Sequence, residues 1–105
     1  NRAALRIVAE AGLPVVVSSA IETSVGLSMG LHLAASIPEL DYDCGLGTAA
    51  LLAADVVAEP LMPSGGSVAV RRVEPSPELL DRYAASVERT AWWLARLERC
   101  LALLK

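Results

Sequence analysis

A chain of 105 residues holds at most one domain, long enough to bury a modest core. With 54% hydrophobic and 20% charged residues it is not a disordered segment, and a net charge of −3 without a basic cluster offers nucleic acid no electrostatic footprint. Its two cysteines, Cys44 and Cys100, are too few and too far apart for a disulfide framework or a zinc site. Both are expected as small core residues in a reducing, cytoplasmic compartment.

Asn1 opens inside a helical pattern: Leu5, Val8 and Ala11 recur at helical spacing and Gly12 stops the run. A start in mid-pattern reads as a piece of a longer protein, with no signal peptide in view. Leu13 to Ser19 is a short, continuously apolar, β-branched run, the pattern of a strand buried on both faces in a parallel sheet. Thr23 to Ala35 predicts a helix ended by Ile37-Pro38, and its small residues Gly26, Ser28, Gly30 and Ala34 would let it lie close to a sheet. Tyr42 to Thr48 predicts a second strand running into a glycine turn. Ala49 to Val56 predicts a short helix and Glu59 to Gly66 a loop, whereas Ser67 to Val73 alternates with period two, as a half-exposed strand does. Pro77 falls near the first turn of a further helix. An apolar stripe then runs through Leu80, Tyr83, Val87, Ala91, Leu94, Leu101 and Leu104, and Ser86 with Arg89-Thr90 marks where it divides into two helices. No run of about 18 uninterrupted apolar residues suggests a membrane span.

Alternation of buried strands with helices argues for βαβ units and a parallel sheet. Two parallel strands cannot hide both of their faces, so further strands are expected, either in the same protein or in a partner.

Ser18-Ser19 ends the first expected strand, and Gly45-Leu46-Gly47-Thr48 ends the second. In a (β/α)8 barrel the C-terminal ends of strands build the active site. Hydroxyls and exposed N–H groups there suit a carboxylate or phosphate, and glycine lets a ligand approach the backbone. The same residues also serve as plain caps and turns, and Gly45-x-Gly47 lacks the third glycine and the acidic residue of a dinucleotide fingerprint. Glu22 or Thr23 is placed to cap the helix that follows, with ligand contact as the alternative. His32, the only histidine, has no partnered Ser or Cys at a recognisable spacing and reads as a packing or surface residue. Asp41, Asp43 and Asp55 are not spaced as metal ligands and read as solvated. Arg71-Arg72 reads as a solvated pair, with anion binding as the alternative. Trp92-Trp93 and the leucine stripe read as a self-packing helix, with docking on a partner helix as the alternative. The one lysine, Lys105, is the last residue and a poor candidate for a buried general base.

Val15-Val-Val-Ser-Ser-Ala-Ile-Glu-Thr-Ser-Val-Gly-Leu27 resembles the seventh-strand segment of bacterial o-succinylbenzoate synthases, and Pro38-Glu-Leu-Asp-Tyr-Asp-Cys-Gly-Leu-Gly-Thr48 resembles their eighth. Leu51-Leu-Ala-Ala-Asp-Val-Val-Ala-Glu-Pro-Leu61 continues in the style of the actinobacterial branch. The resemblance covers roughly residues 3 to 75, and Trp92-Trp93 and Arg96-Leu97 are also similar. Two motifs in the right order at a plausible distance are more specific than either alone.

The resemblance implies an enolase-superfamily enzyme with an α+β capping domain and a modified (β/α)8 barrel. Such an enzyme dehydrates a cyclohexadiene carboxylate to o-succinylbenzoate in menaquinone biosynthesis. It implies Mg²⁺ on carboxylates of strands three to five and two lysines on strands two and six, none of which this chain supplies. The expected fold class is therefore α/β, the C-terminal portion of the barrel. Residues 1–66 would hold strands seven and eight with their helices, and residues 67–105 a return strand toward the capping domain and a helical tail. Ser18, Ser19, Gly45, Leu46 and Gly47 are the expected substrate-binding residues, holding the succinyl side chain and its carboxylate. No catalytic residue and no metal ligand is assigned within the chain. The expected partners are a small carboxylate substrate and the rest of the barrel, or a second copy along exposed strand edges, with no nucleic acid and no membrane. A racemase of N-acylamino acids from the same superfamily and a non-catalytic helix-docking module are the competing readings.

Overall fold

A computed structural model describes residues 2–104, so Asn1 and the expectation for Lys105 lie outside it. Helix α1 spans Arg2–Ala11 and ends at Gly12, whose φ of +61° turns the chain out of the helix. Its Leu5 and Val8 are half-buried and line a cleft with Ile37 and Pro38.

The segment after α1, expected as a strand, forms no continuous ladder. One parallel bridge joins Ser18 to Gly45, closed by Gly45 N–H to Val17 O (2.9 Å) and Ser19 N–H to Gly45 O (3.0 Å). Among the described residues no third segment is hydrogen-bonded to this pair. That is why the expected two-sided burial fails: Val17 is buried, whereas Leu13 and Val16 are exposed. A parallel pair is stable as a ladder only with neighbours on both edges and cover on both faces. The described chain is mainly helical, and in place of the two expected strands it holds segments joined by a single parallel bridge.

Helix α2, Ser24–Ala35, connects these two segments. It carries two glycines, Gly26 and Gly30, which on propensity alone disfavour a helix by about 1 kcal/mol each. Packing overrides propensity here, because Ser24, Leu27, Ser28, Leu31 and Ala34 form a buried face at helical spacing. The small residues permit the close approach anticipated for them: a Cβ on Gly30 would lie 2.9 Å from Leu46 Cδ2.

The core consists of Val17, Leu27, Leu31, Ala34, Leu46, Ala49 and Leu61, with Leu33, Ile37, Cys44, Val68 and Val73 packed against it. Complete burial of a leucine such as Leu27 stabilises the fold by about 1.5–3 kcal/mol. Cys44 is a partly buried neighbour of this core, but Cys100 is exposed on the last helix, contrary to expectation.

The helix expected over Ala49 to Val56 is a single 3₁₀ turn, Thr48–Leu51. The turn stops at Leu52, whose backbone is extended (φ −88°, ψ 138°), and further on Asp55 binds Val56 N–H through Oδ1 at 2.7 Å and Ser24 N–H through Oδ2 at 2.9 Å. Ser64 and Ser67 then form a tight antiparallel turn around Gly65-Gly66. Residues 67–73 pair with no strand. They are held instead by Ser28 Oγ–H donating to Arg71 O (2.9 Å) and by Arg71 Nη2 donating to Glu59 O (2.7 Å).

The tail divides at the expected place. Helix α3, Pro77–Arg82, starts at Ser76, whose hydroxyl accepts from Leu79 N–H. Helix α4, Val87–Ala102, starts at Ser86, whose hydroxyl accepts from Arg89 N–H at 3.2 Å. No described residue of either helix is fully buried, and α4 packs on no other helix. Trp92 and Trp93 stack edge-on at 4.8 Å between centroids, with Arg89 and Arg96 of the same helix over their rings. The expected self-packing is thus confined to α4 itself. The described chain measures 45 × 42 × 19 Å, with a radius of gyration of 16.2 Å against about 13 Å for a compact domain of this length. No described helix is long and apolar enough to cross a membrane.

Candidate functional site

The parallel bridge places the two motifs side by side. Ser18 and Ser19 end one segment and Gly45 lies against them from the other, so three of the five expected binding residues meet at one point. The closeness depends on glycine: a Cβ on Gly45 would sit 2.6 Å from Ser18 Oγ and 3.3 Å from Ser18 Cβ. Ser18 is exposed.

Ser19 faces differently. Its half-buried hydroxyl donates to Gly45 O at 3.1 Å and lies 2.8 Å from Thr48 Oγ1. Thr48 therefore joins the constellation although it was absent from the expected binding set. The available signal was its hydroxyl directly after Gly-x-Gly, at the N-terminus of the following turn.

Leu46 and Gly47 complete the loop in unlike ways. The Leu46 side chain is buried in the core, so it can offer a ligand only main-chain atoms. Gly47 is exposed, and a Cβ there would meet only Pro63 Cγ at 3.8 Å. Among the described residues neither Leu46 N–H nor Gly47 N–H donates to the protein. An open cleft of about 490 Å³ runs beside Tyr42, Cys44, Leu46 and Gly47, but Ser18 and Ser19 do not line it. The constellation contains hydroxyls, amides and one carbonyl, and no charged side chain. It can orient a carboxylate by hydrogen bonds but cannot itself abstract a proton from carbon.

The remaining candidates lie elsewhere. Thr23 is the N-cap of α2, yet neither it nor Glu22 makes a side-chain cap bond. Glu22 lies against the first turn of α2, its Oε2 3.0 Å from a Cβ built on Gly26. The capping carboxylate is Asp55, expected as solvated, which accepts from Ser24 N–H at 2.9 Å and Ser24 Oγ–H at 2.7 Å. Ser24 is completely buried and its hydroxyl accepts in turn from Leu61 N–H at 2.8 Å. His32 is exposed and donates from Nδ1 to Ser28 O at 2.7 Å, the surface role expected of it. Asp41 and Asp43 are exposed, as is Arg72, while Arg71 is occupied by Glu59 O. Among the described residues no three His, Cys, Asp or Glu side chains come together to hold a metal ion. The described part of this chain therefore does not fit a Mg²⁺ site.

No family model matches the chain. Individual proteins do. The chain is 58% identical over 97 residues to an o-succinylbenzoate synthase of Thermobifida fusca (strain YX), covering 91% of this chain and 29% of that protein. It is 47% identical over 102 residues to the o-succinylbenzoate synthase of Mycobacterium tuberculosis (strain ATCC 25618 / H37Rv), covering 97% of this chain and 31% of that protein. That of Mycobacterium ulcerans (strain Agy99) is 44% identical over 102 residues, with the same coverage. The chain spans about three tenths of the length of these curated relatives. Identity at this level across nearly the whole chain makes the chain homologous to part of the o-succinylbenzoate synthases.

Proposed function

We propose that this chain is the carboxylate-binding end of an o-succinylbenzoate synthase, a Mg²⁺-dependent lyase of the enolase superfamily acting in menaquinone biosynthesis in the cytoplasm. The observation that carries this reading is the parallel bridge between Ser18 and Gly45, which brings both family-like motifs to one point. In this reading residues 1–66 complete the barrel through its seventh and eighth strands, and residues 67–105 return toward the capping domain. The free edges of the two bridged segments then pair with other barrel strands.

The reaction takes a proton from the carbon beside the ring carboxylate and loses the ring hydroxyl as water, which leaves an aromatic ring. Mg²⁺, bound elsewhere in the intact enzyme, would supply charge stabilisation for the ring carboxylate. The residues of this chain bind and orient: Ser18 and Ser19 and the amides of Leu46 and Gly47 hold the carboxylate of the succinyl side chain. Held in this way, the distal end of the substrate fixes the ring for proton removal, a contribution of positioning rather than of acid–base chemistry.

The test is turnover by the intact protein that carries this chain, with Mg²⁺ present, on the cyclohexadiene carboxylate and on N-succinylamino acids. Dehydration much faster than racemisation is expected. A folded, Mg²⁺-loaded protein that does not dehydrate the first substrate overturns the reading, and preferred racemisation reassigns it to the sister activity.

A further inference from the structure

Three oxygens cluster where the bridged segments end: Ser19 Oγ, Gly45 O at 3.1 Å and Thr48 Oγ1 at 2.8 Å. Gly45 O can only accept, and it already receives Ser19 N–H at 3.0 Å. Two hydroxyl protons therefore serve two short contacts. If Ser19 donates to Gly45 O, Thr48 must donate to Ser19 Oγ, because each hydroxyl has one proton. In that state Ser19 turns only lone pairs outward, which repel an anion.

We infer that Thr48 is a positioning residue that strengthens Ser19 as a donor to a ligand carboxylate; this rests on the function proposed above. When a carboxylate arrives, the Ser19 proton swings from Gly45 O to the anion. Gly45 O keeps its backbone N–H partner and is not orphaned. Thr48 Oγ–H continues to donate into Ser19 Oγ, and donors in series polarise one another, so the outward bond strengthens. Both side chains are half-buried, and Thr48 is β-branched and sits at the start of the 3₁₀ turn, which restricts its rotamer. Without the Thr48 proton, the Ser19 hydroxyl still reaches the anion but with no donor behind it, and the outward bond is weaker.

The experiment uses the intact enzyme and three variants: Thr48→Val, which keeps the shape and removes the proton, Thr48→Ser, which restores it, and Thr48→Ala. Calorimetry measures affinity for o-succinylbenzoate and for the analogue whose side-chain carboxylate is a carboxamide. Thr48→Val is expected to weaken the dicarboxylate about threefold, the loss of the donor in series behind Ser19, and to leave the amide nearly unchanged. KM should rise about threefold while kcat stays within about 1.5-fold, and Thr48→Ser should recover most of the loss. If Thr48→Val does not fold, Thr48→Ala gives the same comparison. Equal losses for both ligands, or a Thr48→Ser variant as weak as Thr48→Val, reduce Thr48 to a packing role and overturn the inference. A wild-type enzyme that binds no o-succinylbenzoate overturns the proposed function and this role together, whereas normal wild-type binding with an indifferent Thr48→Val overturns the role alone.

Discussion

Asp55 holds Ser24 twice, through the backbone N–H at 2.9 Å and the hydroxyl at 2.7 Å, and thereby fastens the start of α2 to the loop that follows the 3₁₀ turn. Ser24 passes the connection on, because its hydroxyl accepts Leu61 N–H in the interior. Removing the hydroxyl by Ser24→Ala leaves that buried amide without a partner, at an expected loss of about 1–3 kcal/mol. Asp55→Ala removes the cap and should cost about 1–2 kcal/mol. Since the two residues share one network, the double variant should lose less than the sum of the singles. Urea denaturation of the intact protein measures all three.

The two glycines of the second motif should respond differently to alanine. Gly45→Ala pushes a methyl to within 2.6 Å of Ser18 Oγ, so the Ser18 hydroxyl must move. Loss of about tenfold in affinity for o-succinylbenzoate is expected in the intact enzyme. At Gly47 the added methyl finds only ordinary contact with Pro63, at 3.8 Å, and φ is −104°. Gly47→Ala should stay within about 0.5 kcal/mol of wild type in a thermal melt. A melt that ranks Gly47 as the more sensitive of the two would contradict the packing described.

The isolated 105-residue chain is expected to show no dehydratase activity with Mg²⁺, because its described residues hold neither a metal site nor a base on the substrate side. Open edges and exposed apolar side chains such as Leu13, Val16, Leu94 and Leu101 should make it self-associate. Size-exclusion chromatography across a dilution series reads the association, and a monomer at high concentration would count against it.

Stability should be unevenly distributed along the chain. Leu27 is fully buried on α2, and Leu27→Ala is expected to cost about 2–5 kcal/mol. Leu97 is half exposed on α4, which packs on no other helix, so Leu97→Ala in the same 105-residue chain should change stability by less than about 0.5 kcal/mol. Urea midpoints at low protein concentration compare the two. In the intact protein a much larger effect at Leu97 would report that α4 is covered there.

Much of this organisation was legible in the residues. Helical spacing and Gly12 located α1, the Thr23 to Ala35 run ended by Ile37-Pro38 located α2, and Pro77 and Ser86 marked the starts of α3 and α4. The juxtaposition of Ser18 with Gly45 followed from reading two strand ends of one parallel unit. The strands themselves were overread at Leu13 and Val16, because continuous apolarity reports what a segment can bury and not what is present to bury it. Asp55 was misread because its partner, Ser24, lies 31 positions away, and no local pattern announces a cap supplied across a loop. Thr48 lies inside the second motif, but its pairing with Ser19 is not legible there, since the 2.8 Å contact exists only once the segments are side by side.

The burial of Leu46 between two exposed glycines has a practical meaning for mutagenesis. Along this stretch the solvent meets amide groups, while the one side chain is anchored inward. An alanine scan would therefore probe packing at Leu46 and never the surface it leaves behind. The informative chemistry is atomic: an amide-to-ester exchange introduced by semisynthesis at Leu46 or Gly47 deletes one proton and leaves every side chain in place.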